Sequence, residues 1–402
     1  MRISSVVTAS FLVSSMIAAA DWPEWRGPHR DGILTNEPKS WPEKLNLKWK
    51  TEVGIGHASP ILAGGSIYVF TRQGEQETAL AIDPGTGKVR WTQQYPAPYK
   101  MNSAATAHGQ GPKSTPLYAN GRLYTFGITE VLSCFDAETG KVLWRKDSAP
   151  QSPDFGTAMS PVLDNGLLIV HVGGTRTGAL TAFDAITGIV KWSWDGDSPA
   201  YASPIVADLG GVRQVITQSR QNIIGVAAAN GKLLWKIPFT TSYEQNIVTP
   251  VLDRDTLIFS GLDKGVFAVR LSHTGDQWTP QTVWQNKDAS MYMNSPVLTG
   301  DLLIGFSHLK KGQLFCIDAR TGATLWTGPP RAGDNAALLA SASTLFSLNS
   351  DGQLLVAKPT AKGLGELRRY EVADSATWAH PVVLDDGFLV KDVKTLARWS
   401  VY

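Results

Sequence analysis

The sequence predicts an all-β fold built from repeated four-stranded sheets, on three observations. A phrase of the form Asp-x-x-Thr-Gly-x-x-x-Trp recurs along the 402 residues. The tryptophans of the repeat, counted from Trp49 to Trp326, follow one another at intervals of 42 to 53 residues. Dipeptides of Ser or Thr with Pro recur at a similar spacing, and short β-rich runs separated by turns fill the intervals. Periods of about 20 to 50 residues indicate a stacked or radial repeat.

The Ser/Thr-Pro dipeptide predicts the start of the first strand in each unit, because proline lacks an N–H and suits the first residue of a strand. The copies are Ser59-Pro60, Thr115-Pro116, Ser160-Pro161, Ser203-Pro204, Thr249-Pro250 and Ser295-Pro296, with His380-Pro381 as a variant.

The second unit shows the four strands that we expect in each repeat. Leu117–Ala119 is followed by an Asn-Gly pair, a strong hairpin signal, and then by 123–127. The third and fourth strands are predicted at 132–135 and 142–144, which makes the unit an antiparallel meander.

The recurrent phrase is the turn between the third and fourth strands. Asp bonds its own backbone two residues on, and Gly accepts a positive φ. The tryptophan is expected to bury its ring against a neighbouring unit. We assign these residues a structural role. The copies of the phrase run over 83–91, 136–144, 184–192, 230–235 and 318–326, with a degenerate copy at 274–284.

Eight units are counted, and together they predict a closed eight-bladed β-propeller over residues 45–402. The seventh unit lacks both Ser-Pro and Trp, with Tyr370 in place of the latter, and the eighth ends after a third strand at 396–401. A strand at 45–53 is expected to complete the eighth blade and so close the ring. The units are 58–95, 114–147, 159–195, 202–239, 248–286, 294–330, 335–372 and 379–402.

Residues 1–20 are typical of a cleavable signal peptide. Arg2 provides a positive start, an apolar stretch covers 6–17, and Ala18–Ala20 is a small-residue cleavage site. We predict cleavage after Ala20 and a periplasmic or secreted monomer. No cysteine lies near the site and no later stretch is apolar enough to span a bilayer, so neither a lipid anchor nor a membrane span is expected.

Residues 21–44 form a Pro- and Trp-rich segment between the signal peptide and the first predicted strand. Proline blocks regular pairing and the tryptophan rings need cover, so we expect an extended arm lying on the propeller. A partner-binding arm is the alternative.

Composition excludes one function class and predicts the state of the cysteines. The 37 basic and 35 acidic residues are nearly balanced and form no like-charge run, so we expect no nucleic-acid binding. Cys134 and Cys316 occupy matching positions in different repeats, which the repeat geometry holds apart. A disulfide requires Cα atoms within about 7 Å, so two buried free thiols are expected.

The phrase at Ala81–Trp91 resembles the tryptophan-docking motif of pyrroloquinoline quinone (PQQ) repeats, and the resemblance covers 45–402. The opening segment 21–32 is similar to the mature start of a group of secreted bacterial PQQ-like propellers. The resemblance implies an eight-bladed propeller. Two functions share this repeat: quinoprotein alcohol dehydrogenases and the outer-membrane assembly scaffold.

In the dehydrogenases, as the resemblance implies, the quinone lies on the axis between a tryptophan and a disulfide of adjacent cysteines, and Glu and Asn hold calcium. This sequence has no adjacent cysteine pair, and its one stretched linker is 95–113. We therefore predict no cofactor and do not favour an enzyme. A small dehydrogenase that uses PQQ with calcium is the enzyme alternative.

The seven histidines show no metal-binding or hydrolase spacing. His57 and His380 lie beside the first strands of blades that meet at the closure, where a shared metal was weighed against strand capping. Capping is favoured, and we predict neither a metal site nor catalytic residues.

Residues just before each first strand should face one mouth of the central channel. Aromatic faces with a few polar groups bind small polar ligands and dominate protein interfaces. The sequence therefore predicts a binding or assembly scaffold for a protein partner, a small polar ligand or a glycan, with a carbohydrate-active propeller as a further alternative. The funnel candidates are His57, Asn102, Lys113, Tyr201, Asn246, Tyr292, Asn294, Trp378 and His380.

Overall fold

The fold was analysed on a computed structural model, which describes residues 21–149 and 151–402. The predicted signal peptide, 1–20, lies outside the described residues. The described chain forms eight antiparallel sheets of four strands each, and the predicted eight-bladed β-propeller is confirmed. No helix in the described ranges is long and apolar enough to cross a membrane.

The strands follow one another blade by blade. They are β1 (Asn46–Glu52); β2 (Ile61–Ala63), β3 (Ser66–Gln73), β4 (Gln76–Ile82) and β5 (Val89–Pro96) in blade 1; β6 (Leu117–Ala119), β7 (Arg122–Phe126), β8 (Leu132–Asp136) and β9 (Val142–Lys146) in blade 2; β10 (Val162–Asp164), β11 (Leu167–Gly174), β12 (Thr177–Asp184) and β13 (Val190–Trp194) in blade 3; β14 (Ile205–Leu209), β15 (Val212–Gln218), β16 (Asn222–Ala227) and β17 (Leu233–Pro238) in blade 4.

The second half continues in the same way. The strands are β18 (Val251–Asp253), β19 (Thr256–Gly261), β20 (Gly265–Thr274) and β21 (Gln277–Asn286) in blade 5; β22 (Val297–Thr299), β23 (Leu302–Ser307), β24 (Gln313–Asp318) and β25 (Thr324–Thr327) in blade 6; β26 (Ala336–Ala340), β27 (Leu345–Asn349), β28 (Gln353–Thr360) and β29 (Gly363–Glu371) in blade 7; β30 (Val382–Leu384), β31 (Gly387–Lys391) and β32 (Thr395–Ser400) in blade 8. Short 3₁₀ helices lie at Ser103–His108, Ser242–Glu244 and Leu309–Lys311.

The N-terminal strand closes the ring as the sequence predicts. Strand β1 pairs antiparallel with β32 and becomes the outermost strand of blade 8. The register runs from Asn46 opposite Ser400 to Glu52 opposite Thr395. Because the last blade takes its outer strand from the start of the chain, blade 8 is held by residues from both ends.

The phrase residues join neighbouring blades. Trp91 Nε1 in blade 1 donates to the carbonyl of Ala137 in blade 2 at 3.0 Å. A Cβ on Gly140 would lie 2.7 Å from the Trp91 ring, and Gly140 has a φ of +74°. Asp136 accepts the N–H of Thr139 at 2.9 Å, which holds the turn. Only glycine therefore suits this position, both for its backbone and for the indole that lies against it.

Two blades depart from this pattern. In blade 4, Trp235 Nε1 donates to the Gln214 side chain of its own blade at 2.8 Å. In blade 7, Tyr370 replaces the tryptophan, and its hydroxyl donates to the carbonyl of Pro42 at 2.7 Å. Blade 7 is thus tied to the N-terminal arm, and blade 4 keeps its tryptophan bond within its own sheet.

The Ser/Thr-Pro hydroxyls form a ring of hydrogen bonds, which we call the hydroxyl girdle. In each link the backbone N–H of one blade donates to the side-chain oxygen of the next. The links run from His380 to Ser59 (2.9 Å), Ser59 to Thr115 (3.1 Å), Thr115 to Ser160 (2.9 Å), Ser160 to Ser203 (2.9 Å), Ser203 to Thr249 (3.2 Å) and Thr249 to Ser295 (3.0 Å).

The girdle has one gap, at blade 7. Asn335 precedes β26 where blades 1 to 6 carry Ser or Thr, and its N–H donates instead to Ser350 Oγ at 3.3 Å. Its side-chain Oδ1 is buried without a partner among the described residues. The seventh repeat, which lost its Ser-Pro, therefore leaves an unpaired acceptor at the axis.

The apolar core is divided among the interfaces between blades. Separate buried clusters fill each pair of adjacent blades from blades 1 and 2 to blades 6 and 7. The largest cluster spans blades 7, 8 and 1 and includes Trp22 and Leu34 of the arm. The arm is thus part of the core at the point where the ring closes.

The N-terminal arm enters the ring and contacts blades 1 and 7. Trp22 pairs with Leu62 of β2, and the N–H of Leu34 donates to Ala340 of β26 at 2.7 Å. Between them, Arg26 and Arg30 are buried and take positive φ values of 61° and 57°. Their side chains reach carbonyls at the entries of the inner strands, and these bonds hold the segment across the channel.

Arg30 is the main tie between the arm and the ring. Its Nε donates to Pro204 O at 2.8 Å, and its Nη1 donates to Pro161 O at 2.8 Å. Its Nη2 donates to Ser160 O at 3.0 Å, and Nη1 also pairs with Glu24 at 2.5 Å. One buried guanidinium thus links blades 3 and 4 to the arm.

Glu130, a buried carboxylate, links blades 2 and 3. It accepts the N–H of Gly173 at 2.7 Å and the Thr157 hydroxyl at 3.2 Å. Burial raises the pKa of Glu130 to about 8, against the opposing effect of these two hydrogen bonds. The folded protein therefore binds a proton at Glu130 over a pH range where an exposed glutamate is ionised.

Both cysteines are free and buried, as the sequence predicts. Cys134 lies on β8 in blade 2 and Cys316 on β24 in blade 6. Burial raises the pKa of Cys134 to about 11 and that of Cys316 to about 12, so both thiols are protonated near neutral pH.

Candidate functional site

A cavity of about 370 Å³ opens at the end of the channel where the inner strands begin. We call it the axial funnel. It is large enough for a small ligand, since binding pockets typically measure about 300–1,000 Å³. Its lining residues are Trp25, His57, Ser59, Ala104, Ala105, His108, Lys113, Phe155, Ala158, Tyr201, Ser203, Tyr243, Gln245, Ile247, Thr249, Tyr292, Met293, Asn294, Ser295, Asn335, Trp378 and His380.

Most of the sequence-predicted candidates line this funnel, because they precede the inner strands. They are His57, Lys113, Tyr201, Tyr292, Asn294, Trp378 and His380.

Asn102 and Asn246 do not line it. Asn102 caps the 3₁₀ helix by accepting the N–H of Ala104 at 3.0 Å. Asn246 is fully buried, and its amide donates to Ser219 O at 2.8 Å and Phe239 O at 2.9 Å. Both side chains are used to hold loops.

Sequence reasoning missed several lining residues. Trp25 closes the base of the funnel, and nothing in the arm's composition marks it as inward-facing. His108 belongs to the 3₁₀ helix within the stretched linker, whose unusual length was the available signal. Asn335 lies in the one unit that has no Ser-Pro, Thr-Pro or His-Pro before its first strand, and that departure from the repeat was a signal that could have found it.

An aromatic wall stands on the side of blades 8, 1 and 2. The rings of His108 and Trp378 meet edge to face with centroids 4.6 Å apart. The His57 ring lies 5.9 Å from each of them. At the base, Trp25 meets His380 edge to face at 5.4 Å. This packing fixes the ring orientations, so the wall is rigid before any ligand arrives.

The His57 and His380 rings of the funnel are neutral. Burial, followed by the nearby positive charge of Lys391, lowers the pKa of His57 to about 3. Burial and then Arg26 lower the pKa of His380 to about 3. Each ring has an Nε2 that is buried without a partner among the described residues. A neutral imidazole carries a lone pair on one of its two nitrogens, so each ring can accept one hydrogen bond.

Lys113 is the one Lys or Arg side chain that lines the funnel. Its Nζ donates to Phe155 O at 2.6 Å, and burial lowers its pKa to about 8. No Asp or Glu belongs to the described lining. Below the wall, the buried Lys391 donates to Gly56 O at 2.6 Å and to Asp392 O at 3.1 Å. The funnel is therefore positive and contains no compensating carboxylate.

The rim of the funnel carries an exposed tyrosine on a strained turn. Tyr243 is 80% exposed and has a φ of +60°, and Glu244 beside it has a φ of +56°. Non-glycine residues rarely occupy this region, and such strain is found at functional loops. Further in, the Tyr292 hydroxyl donates to the Gln245 side chain. The rim thus presents an aromatic ring to solvent beside the opening.

The described residues contain no cluster of three or more His, Cys, Asp or Glu side chains that could hold a metal. His57 and His380 line the same cavity, but His57 packs against Trp378 and His380 packs against Trp25. No Asp or Glu belongs to the described lining. The lining offers hydrogen-bond acceptors, one ammonium group and aromatic faces, which is the chemistry of a binding site.

Comparison with known proteins finds relatives of two kinds. The dehydrogenase subunit of a quinone-dependent alcohol dehydrogenase from Komagataeibacter europaeus is 29% identical over 160 residues, which cover 37% of this chain and 21% of that protein. The outer membrane protein assembly factor BamB from Yersinia pestis is 26% identical over 200 residues, which cover 47% of each chain. The chain thus matches between a fifth and about half of the length of these relatives.

Solved structures agree on the fold. A quinohemoprotein alcohol dehydrogenase from Comamonas testosteroni superposes with a TM-score of 0.70 at 14% identity, covering 95% of this chain and 80% of that one. The family model described as "Outer membrane protein assembly factor BamB" matches residues 75–328, more than half of the 402 residues. The chain therefore belongs to this family, PQQ_2.

Proposed function

We propose that this protein is a non-catalytic binding propeller of the cell envelope, and that the axial funnel is its binding site. The observation that carries the proposal is the lining. Aromatic rings and unpaired polar atoms converge in a cavity whose base is occupied by Trp25. A cavity of this kind holds one end of a ligand or one side chain of a partner.

The histidines and the Ser59 hydroxyl of the lining are poor candidates for acid–base or nucleophilic catalysis, and Lys113, whose pKa is about 8, is held by its hydrogen bond to the carbonyl of Phe155. A general base works best when its pKa lies near the operating pH. His57 and His380 have pKa values of about 3, and no carboxylate stands beside either. The hydroxyl of Ser59 accepts a girdle hydrogen bond from the His380 backbone, and among the described residues it donates none to a histidine ring or a carboxylate. These features favour binding over turnover.

The funnel does not fit the calcium and quinone pair of the dehydrogenase relatives. Calcium takes about six to eight oxygen ligands, among them carboxylates, and the described lining contains no carboxylate. PQQ is a polycarboxylate, whereas Lys113 is the single cation in the wall. The adjacent cysteine pair is also missing, since Cys134 and Cys316 lie in blades 2 and 6. We therefore derive no quinone chemistry for this chain.

A role in assembly is the form of binding that the BamB relatives suggest. Proteins of that name are outer membrane protein assembly factors. The exposed Tyr243 beside the funnel is the kind of aromatic anchor that protein interfaces use. Location in the periplasm or outside the cell follows from our interpretation of residues 1–20. N-terminal sequencing of the secreted protein tests it, with Asp21 as the expected first residue.

The decisive test is a titration of the mature protein with PQQ, with and without calcium, followed by dye reduction with simple alcohols. Trp25 and Trp378 lie in the funnel and report occupancy through their fluorescence. We expect no calcium-dependent turnover. Trp378→Phe serves as the control, because quenching in the funnel must change in this variant. Saturable calcium-dependent quenching with turnover would overturn the proposal and restore the dehydrogenase alternative.

A further inference from the structure

The unpaired groups of the funnel define the chemistry of its ligand. They are of two kinds, a cation and hydrogen-bond acceptors, and both lie on the side where blades 7, 8, 1 and 2 meet. A buried polar group that lacks a partner lowers stability, so most such groups in native proteins are hydrogen-bonded.

The cation is Lys113. Its one hydrogen bond among the described residues goes to a backbone carbonyl, Phe155 O, which leaves two N–H groups free. With Lys391 below the wall and no carboxylate in the lining, the potential in the funnel is positive. A negatively charged group on the ligand would supply the missing partner.

Three buried side-chain atoms of the described lining lack a partner, Asn335 Oδ1 and the Nε2 atoms of His57 and His380, and the first two are the acceptors assigned to the ligand. Asn335 is 4% exposed, and its Oδ1 has no donor because the hydroxyl girdle is interrupted at blade 7. His57 is neutral, so one of its ring nitrogens carries a lone pair, and its Nε2 has no partner among the described residues. Both atoms require hydroxyl or N–H donors from the ligand.

The walls add flat apolar faces. Trp378 and His108 are packed edge to face, and Tyr201 and Tyr292 stand elsewhere in the same lining. Such faces suit a ring with a C–H surface, and a ring that also carries several hydroxyl groups satisfies the acceptors.

We propose that the axial funnel binds a carboxylated sugar. The carboxylate pairs with Lys113, ring hydroxyls donate to His57 Nε2 and Asn335 Oδ1, and the ring packs on Trp378. The proposal deepens the binding role assigned above and rests on it. Two other classes of ligand fit the funnel less well. A neutral sugar leaves Lys113 without a counter-ion, and an aromatic carboxylate leaves both acceptors without donors.

The test is calorimetric titration of the mature protein with three probes: a galacturonate trimer, the matching galactose trimer, and phenylacetate. We expect saturable binding of the galacturonate trimer that weakens as salt is raised, because an ion pair carries part of the affinity. Affinity for the galactose trimer and for phenylacetate should be at least about tenfold lower, since each lacks one set of partners.

Two variants and one control make the residue assignment falsifiable. Lys113→Gln should weaken galacturonate binding by about 10- to 100-fold and abolish its salt dependence. His57→Phe keeps a ring but removes the acceptor, and should weaken both sugars while leaving the salt dependence. Lys100→Gln changes an exposed lysine that is absent from the funnel lining, and should have no effect. Thermal unfolding of each variant confirms that the fold is intact.

Three results would overturn the inference: equal affinity for the neutral trimer, tighter binding of phenylacetate, or no binding of the galacturonate trimer. None of these results affects the quinone titration, in which turnover tests whether the protein is non-catalytic. The failure of the sugar assignment is therefore separable from the failure of the proposed function.

Discussion

Replacing Arg30 with methionine should release the arm from the channel and destabilise the whole propeller. Arg30 is 3% exposed, and its guanidinium donates to three backbone carbonyls and to Glu24. Removing one partner of a buried ion pair typically costs about 3–5 kcal/mol, and each orphaned carbonyl adds to that cost unless water reaches it.

The lower end of that range is expected, because the carboxyl partner can adapt. Burial already raises the pKa of Glu24 despite the opposing effect of Arg30, so removing Arg30 raises that pKa further and favours the neutral carboxyl. We therefore expect Arg30→Met to cost about 3 kcal/mol. A double variant, Arg30→Met with Glu24→Gln, should cost less than the sum of the two single variants.

The assay is urea unfolding followed by tryptophan fluorescence. Arg254→Met is the matched control, because the side chain of Arg254 is 77% exposed and pairs only with Asp253. This control should change the free energy of unfolding by no more than about 0.5 kcal/mol. A loss below about 1 kcal/mol for Arg30→Met would refute the argument that the arm is anchored by this residue.

Three further measurements check the blade interfaces. Trp144→Ala should cost about 3–5 kcal/mol, because it removes a half-buried ring and its 3.1 Å bond to Ala185 O; a near-neutral result would contradict that packing. A thiol reagent should label Cys134 and Cys316 only after denaturation, since both are buried; rapid labelling of the native protein would place them at the surface. The raised pKa of Glu130 stabilises the fold fully below about pH 4.5, and this contribution is lost as pH rises through about 8. The urea midpoints of Glu130→Gln at pH 5 and at pH 8.5 should therefore lie closer together than those of the unchanged protein. An unchanged difference would assign the pH dependence to other groups.

The fold could be predicted from the sequence because each repeat carries its own turn and strand signals. Asp136, Gly140 and Trp144 act within one turn or across one interface, so their roles are local and recur in other blades. Closure by 45–53 was also predictable, because the eighth unit was one strand short. The structure confirms this pairing in β1 and β32.

The site could be predicted only where it follows the repeat. Lys113 and Trp378 precede inner strands, so a position in the repeat places them at the mouth. Trp25 and Arg30 belong to an arm with no repeat equivalent, and their inward position depends on carbonyls contributed by blades far away in sequence. Asn246 occupies a predicted funnel position, but its amide is drawn into loop contacts that no spacing pattern encodes.

The pairing of β1 with β32 has a consequence for the order of folding. Asn46 lies opposite Ser400, a separation of 400 − 46 = 354 residues, so the contact cannot form until nearly the whole chain is present. Contacts of such long range are slow to form, because the entropy of closing the loop must be lost first. Blades 1 to 7 can each form their four strands from consecutive residues, whereas blade 8 keeps an unpaired edge at β32 until β1 pairs with it. Ring closure should therefore be the late, rate-limiting step, and until it occurs the edge of β32 is the surface most exposed to pairing with another chain.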